Sequence, residues 1–205
     1  MVDDHSIVRE GLRRIIDDTE GINVAAEAST GEEALDLIME NKFDLVLLDI
    51  SMPGKNGLQT LKEIRKTNKA LPVLMLSMHA EEQYAMRAMK AGASGYLTKD
   101  SASDQLVDAI KKIYNGRKYI SKEVAELLVT DMYHNKDKHP HDYLSDREFE
   151  IFKLIVRGYT AKIIAKDLSI SDKTVSTYRN RILKKMNITS TSDLVRYAIE
   201  YNISD

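Results

Sequence analysis

Two kinds of hydrophobic pattern alternate along the first half of the chain, and the second half carries only one of them. Short, uninterrupted apolar runs mark strands buried on both faces, and apolar positions recurring every three or four residues mark amphipathic helices. The runs predict strands over residues 22–28, 45–48, 73–76 and 95–97, with Met1-Val2 as a first strand ahead of Asp3-Asp4. Between them, Val8, Leu12, Ile15 and Ile16 predict a helix over 7–16, and Thr30-Gly-Glu-Glu33 is a capping-box pattern opening a helix to about residue 40. Further helices are expected near 58–67, from about 81 to 91 (stopped by Gly92), and around Leu106, Ile110 and Ile113, ended by Gly116. Five alternations of strand and helix predict a doubly wound α/β domain.

After Gly116 the strand pattern disappears. Val124, Leu127 and Leu128 predict a linker helix over 121–132, and the polar stretch YHNKDKHPHD (133–142) reads as a flexible tether. His134, His139 and His141 lack a cysteine or a regular framework around them, so a solvated linker is the expectation rather than a metal site. Ser145 and Glu148 form another capping-box pattern, opening a helix through Phe149, Phe152, Leu154, Ile155 and Val156 that ends at Gly158. Thr160 can cap a helix over 161–168, Ser169-Ile-Ser171 makes a tight turn, and Ser171 can cap a longer helix over 172–186. A last helix, 193–201, places Leu194, Val195, Ala198 and Ile199 on one face. Two helices joined by a short turn are the helix-turn-helix pattern. A generic small helical bundle would explain the apolar spacing equally well.

Composition narrows the class. The 205 residues, 43% hydrophobic and 30% charged, fit two globular domains of about 100 residues each. There is no cysteine, hence neither a disulfide nor a thiolate metal site. With no signal peptide and no apolar run near the ~20 residues that span a bilayer, a soluble cytoplasmic protein is expected. The net charge of −2 hides an asymmetry: residues 143–205 hold 11 Lys+Arg against 8 Asp+Glu, and the residues before them 19 against 24. Lys173, Arg179, Arg181, Lys184 and Lys185 form a basic run without an acid on the second helix of the pair, which tilts that bundle toward DNA.

The α/β half carries candidate chemistry where its strands end: Asp3 and Asp4, Asp49, Ser77 and Lys99. In such sheets ligands bind beyond the carboxyl ends of the strands. Carboxylates forced together repel by about 4 kcal/mol per close pair at an effective dielectric near 20, so the cluster either raises its pKa values or holds a cation. Hard oxygen donors point to Mg²⁺. A carboxylate nucleophile beside Mg²⁺, a lysine and a hydroxyl is a phosphoryl-acceptor site: Asp49 attacks, the metal and Lys99 neutralise the transferring oxygens, and Ser77 donates to the product. A surface acidic patch is the bland alternative.

VDDHSIVREGL, DLVLLDISMPGKNG, VLMLS and AGASGYLTKD together resemble the receiver domain of two-component response regulators, from Val2 to about Gly116. The resemblance implies a flavodoxin-like fold and phosphorylation of Asp49 by a sensor histidine kinase. It assigns Mg²⁺ to Asp4, Asp49 and the backbone carbonyl of Ser51, with Asp3 acting through water, and makes Ser77 and Tyr96 the switch pair. Two departures stand out. Met78 follows the switch serine where a small residue is more usual, and only Met1-Val2 precedes the Asp pair, so a first strand truncated or started too late is expected.

LSDREFEIFKLIVRGYTAKIIAKDLSISDKTVSTYRNRILKKMNI resembles the LuxR-type DNA-binding domain of NarL/FixJ-class regulators, from Leu144 to about Ile203. The implied division is a receiver over 1–118, a linker helix and tether over 119–142, and a helix-turn-helix domain over 143–205. The resemblance puts Ser176, Thr177 and Asn180 toward base edges, and makes Lys173, Thr174, Tyr178, Arg179, Arg181, Lys184 and Lys185 candidates for phosphate contacts. Many relatives carry Lys and His at positions 176 and 178, so the operator does not transfer from the family. Leu194, Val195 and Ala198 are candidates for a dimer contact, or pack the bundle. The expected function is a phosphorylation-controlled, homodimerising transcription factor on double-stranded DNA. A receiver acting through protein contacts alone is the alternative.

Overall fold

The computed structural model describes residues 1–78, 82–133, 139–201 and 203, in two compact units, Met1–Asp131 and Met132–Asp205. The expected helix start at Glu81 and residues 134–138 of the tether, His134 among them, lie outside the described residues. In the first unit the elements run α1 (Ser6–Asp17), α2 (Gly31–Glu40), β1 (Val46–Asp49), α3 (Gly57–Thr67), β2 (Val73–Ser77), α4 (Glu82–Lys90), β3 (Gly95–Thr98) and α5 (Lys99–Tyr114), followed by α6 (Lys122–Tyr133), which ends two residues past Asp131. The strands pair in parallel in the order β1-β2-β3, with Val46 opposite Val73 and Leu74 opposite Gly95. Every residue of β1 and β2 is buried, as apolar runs covered by helices on both faces require. On one face Leu47, Leu74, Leu76 and Leu97 pack with Leu12 and Ile16 of α1 and Leu106 and Ile110 of α5.

The expected strand over 22–28 does not form. Val2 makes single parallel bridges to Ala28 and Leu48, and pairing of this segment reaches no further than Met1–Asp3. The Ala28 amide donates to the Met1 carbonyl at 2.9 Å, the Asp3 amide donates to the Ala28 carbonyl at 3.2 Å, and the Met1 ammonium donates to the Ala26 carbonyl at 2.8 Å. Residues 22–25 find no ladder among the described residues, and a cavity of about 420 Å³ lies between this segment and residues 43–47. A strand needs a neighbour for its backbone groups, and apolar content alone does not supply one.

The second unit holds a short 3₁₀ turn (Pro140–Tyr143) and helices α7 (Asp146–Val156), α8 (Ala161–Asp167), α9 (Asp172–Met186) and α10 (Thr191–Glu200). Their starts follow the capping chemistry legible in the chain. Ser145 and Glu148 form a reciprocal capping box, and Thr160 and Ser171 each accept an amide from their helix's first turn. Phe149, Phe152, Ile164, Val175, Ile182, Leu194 and Ala198 fill the core. His141 departs from the solvated-linker expectation. It is buried, its Nδ1 lies 2.7 Å from the Tyr197 hydroxyl, and its ring stacks with His139 and sits near Phe149 and Tyr201.

Candidate functional site

Single hydrogen bonds set the geometry at the strand ends. The Asp49 amide donates to the Val2 carbonyl at 2.9 Å, which places Asp3 beside Asp49 at the carboxyl edge of the sheet. Ser77 ends β2 opposite Thr98, and Lys99 follows directly as the first residue of α5. Asp3 and Asp49 are fully buried, and Lys99 Nζ stands 2.7 Å from Asp3 Oδ2 and 2.9 Å from Asp49 Oδ2. These are ion pairs by distance without the angles of hydrogen bonds. Among the described residues, both Asp49 oxygens, Asp3 Oδ2 and Asp4 Oδ1 have no hydrogen-bond partner. One ammonium among three carboxylates leaves negative charge in excess, and buried acceptors without donors are what a divalent cation with hard oxygen ligands satisfies.

The electrostatics agree with that geometry. Burial drives the Asp49 carboxyl up to about 6 from 3.8, against the pull of Lys99, while Asp3 adds to the rise. Burial alone would lower Lys99, but Asp49 and Asp3 outweigh it and hold the ammonium above its ordinary value. Tyr96 is buried and pushed up to about 12, chiefly by desolvation; it shares a side-chain hydrogen bond with Ser77, itself buried. Thus Asp3, Asp4, Asp49, Lys99, Ser77 and Tyr96 fall in one neighbourhood or in direct contact with it. Ser51 is exposed, and its amide acts to lower the Asp49 value. Met78 is about half exposed.

Three residues at this edge went unread in the chain. Arg9 donates to the Asp3 carbonyl at 2.6 Å and pairs with Glu27 at 3.1 Å, tying α1 to the acidic pair. Gly57 lies so close to β1 that a Cβ there would sit 2.0 Å from the Asp49 carbonyl oxygen. Asn56 caps α3 in a reciprocal box with Gln59, a pattern visible as Asn-x-x-Gln. Beside these three, His5 stands at the start of α1 with its ring beside Asp4.

In the second unit the α8–α9 turn passes through Ser169 at φ 52°, and α9 ends in a left-handed cap at Asn187. Lys173, Ser176, Thr177, Arg179, Asn180, Arg181, Lys184 and Lys185 are exposed along α9, while Thr174 and Tyr178 are half-buried. Several side chains are already engaged. Thr174 bonds with the capping Ser171 hydroxyl at 2.8 Å, and Ser176 and Thr177 donate back to the Asp172 and Lys173 carbonyls. Arg179 donates twice to Thr191 Oγ1 at the start of α10. Lys185 pairs with Glu148 of α7 at 2.6 Å, and its ammonium helps hold that carboxyl below the ordinary range despite burial. On α10, Leu194 and Ala198 are fully buried in the bundle, Val195 is half-buried and Ile199 is 62% exposed.

Known proteins show the same two parts. A family described as response regulator receiver domain matches residues 1–111, and one described as bacterial regulatory proteins, luxR family, matches residues 142–198. Response regulator UvrY of Escherichia coli K12 is 38% identical over 204 residues, covering 99% of this chain and 94% of the relative. Response regulator GacA of Pseudomonas aeruginosa is 36% identical over 206 residues, covering 100% and 96%. A solved structure of two RcsB dimers bound to two parallel DNAs is similar at TM-score 0.58 and 26% identity, covering 96% of this chain and 94% of that one.

Proposed function

Because the chain belongs to the response regulators that join a receiver domain to a LuxR-type DNA-binding domain, we propose that Asp49 is its phosphoryl acceptor and that its acylphosphate controls the second unit. The protein is a phosphorylation-dependent, DNA-binding transcription regulator, not an enzyme of the ordinary kind. The observation behind the site assignment is the Asp49 carboxylate: buried at a strand end, without a well-aligned hydrogen-bond donor among the described residues, and 2.9 Å from Lys99.

The inferred donor is the phosphohistidine of a sensor kinase. An Asp49 carboxylate oxygen attacks phosphorus; the O–P bond forms as the donor N–P bond breaks, and the leaving imidazole keeps the electron pair and takes up a proton. A carboxyl near 6 is mostly ionised at pH 7 yet little solvated, so it is available as a nucleophile. Asp4, Asp49 and the Ser51 carbonyl would hold Mg²⁺, with Asp3 acting through water; the ion would supply positive charge for the transferring oxygens. Lys99, kept cationic by Asp3 and Asp49, faces the same oxygens.

Phosphorylation reaches DNA through a two-state element. We assign that element to Ser77 and Tyr96, whose shared hydrogen bond would be exchanged for one between Ser77 and the phosphoryl group, freeing the ring to move. Dimerisation, release of the second unit, or both would follow. Ser77→Ala is expected to leave Asp49 labelling intact while dimerisation and DNA affinity stay at the unphosphorylated level. Sedimentation velocity and binding titrations on the labelled variant check this; parent-like dimerisation would route the signal elsewhere.

On α9, we keep Ser176, Thr177 and Asn180 for base edges and Lys173, Arg181 and Lys184 for phosphates. Arg179 and Lys185 we assign first to bracing α10 and α7, since both are already bonded there. Asn180→Ala should cost about 1–3 kcal/mol on the preferred site and relax base preference locally. Lys184→Ala should weaken binding to every sequence and lower the salt slope by about one. A Lys184 change that altered sequence preference, with Asn180 silent, would reverse these roles. For the dimer contact, Val195 and Ile199 offer the outward apolar surface of α10, with Leu194 and Ala198 supporting it from the core.

We retain the division into receiver (1–118), connector (119–142) and DNA-binding domain (143–205), with His139 and His141 packed against the last of these. No described helix is long and apolar enough to cross a membrane, and we place the protein in the cytoplasm with its DNA. The decisive experiment is a gel shift of the full chain on genomic fragments with Mg²⁺, with and without an acyl-phosphate donor. Donor-dependent, salt-sensitive binding is expected; binding indifferent to the donor, or none, would overturn the proposal.

A further inference from the structure

Helix α1 begins without a side-chain cap. Its N-cap residue is His5, extended at φ −88° and ψ 105°, and the imidazole makes no capping hydrogen bond, although Ser, Thr, Asp and Asn are the residues that ordinarily close this position. The ring turns to the acidic pocket instead. His5 Nδ1 stands 3.0 Å from Asp4 Oδ1 and 3.4 Å from Asp3 Oδ1, and the His5 amide donates to Asp3 Oδ1 at 2.9 Å. One ligand atom from each of Asp3, Asp4, His5 and Asp49 lies within 4.8 Å of all the others.

The spacing has a direct reading in coordination geometry. Neighbouring ligands on an octahedral ion with bonds of about 2.1 Å stand about 3 Å apart, as His5 Nδ1 and Asp4 Oδ1 do. The pocket's need for a cation is a separate observation, carried by the buried carboxylate oxygens of Asp49 and Asp3 that lack hydrogen-bond partners among the described residues. The His5 side chain is 61% exposed, so its ring can adjust onto an ion without disturbing the core.

We propose that His5 is a nitrogen ligand of the pocket's cation, making a mixed imidazole–carboxylate site that favours first-row transition ions over Mg²⁺, with Mn²⁺, the weakest-binding of that series, as the spectroscopic probe. The inference rests on the reading of the pocket as a divalent-cation site. Mg²⁺ takes oxygen ligands and holds its waters, whereas imidazole suits transition ions, so a histidine within reach separates the two classes where carboxylates alone do so weakly. In a mixture of metals, this receiver would be loaded by the transition ion first.

The test is direct binding to the full chain. Mn²⁺ is titrated by loss of its free-ion electron-spin-resonance signal, Mg²⁺ by competition, and nitrogen coupling to bound Mn²⁺ is read by spin-echo modulation. The parent is expected to bind Mn²⁺ about tenfold or more tightly than Mg²⁺ and to show ¹⁴N coupling. His5→Ala should abolish the coupling and weaken Mn²⁺ about tenfold, with Mg²⁺ changed less than about threefold. His5→Asn, which can cap α1, should behave like His5→Ala and so separates ligand loss from helix loss. Bound Mn²⁺ without coupling, coupling that persists in His5→Ala, or equal weakening of both ions overturns the proposal and leaves the pocket reading standing. If neither ion binds the parent, or binding survives Asp4→Ala and Asp49→Asn, the pocket reading itself fails, and this inference with it.

Discussion

Asp49→Asn is expected to abolish phosphoryl acceptance and, in the same protein, to stabilise the first unit by about 2–3 kcal/mol at neutral pH without divalent cation. Asparagine offers no anionic nucleophile at the strand end. The stability gain comes from the buried charge it removes. The Asp49 carboxyl titrates at about 6 in the folded chain against 3.8 as its ordinary value, chiefly through burial. Between those values the folded state binds more protons than the unfolded one, so stability falls as pH rises through the window. The loss is absent below about 3.8 and fully developed above about 6, where the substitution should relieve it. Lys99 is not stranded, because Asp3 remains 2.7 Å away. Urea unfolding of parent and variant at pH 5 and pH 7.5 in EDTA measures the difference. A variant no more stable than the parent at the higher pH would mean that Lys99 already compensates the charge. Because the ligands must be ionised, Mg²⁺ should also protect the parent increasingly as pH rises through about 6, and protect the variant far less.

Gly57→Ala is expected to cost about 3 kcal/mol or more and to cut Asp49 labelling about a hundredfold, without touching a charged group. A Cβ at this position would stand 2.0 Å from the Asp49 carbonyl oxygen, 2.8 Å from its carbonyl carbon and 2.9 Å from the Ile50 Cα. All three are backbone atoms, so no side-chain rotation relieves the contact. Either α3 retreats, breaking the 2.9 Å bond from the Gly57 amide to the Ile50 carbonyl, or the end of β1 moves and carries Asp49, the proposed nucleophile, with it. Gly11→Ala is the matched control. It lies within α1 with nothing within 4 Å of the added carbon, and should be neutral or stabilising by about 0.5–1 kcal/mol. Denaturant midpoints and initial labelling rates compare the two. A labelling rate unchanged in Gly57→Ala would show that the strand end tolerates the shift.

The sequence by itself determined the features that depend on neighbours three or four residues away. Thr30, Ser145, Thr160 and Ser171 cap the helices their positions announce, because the cap closes on an amide within the same turn. The runs at 45–48 and 73–76 form the buried strands Val46–Asp49 and Val73–Ser77, and the order Asp3, Asp49, Ser77, Lys99 at successive strand ends already names the side chains that meet at the candidate site. Tertiary structure decided whatever depends on a partner distant in the chain. Residues 22–28 have the apolar content of a strand but meet a pairing partner only at Met1–Asp3. Leu194 and Ala198 share a helix face with Val195 in the sequence pattern, and only packing against the bundle separates core from surface. His141 sits in a polar stretch and is buried because Tyr197, fifty-six residues away, supplies a hydroxyl. Lys185 reads as one more cation of a basic run until Glu148 of α7 claims it. The raised Asp49 carboxyl, the close approach of Gly57 and the turn of His5 toward Asp4 belong to the same class. Each depends on a through-space distance of a few ångströms, which local propensity and hydrophobic period do not encode.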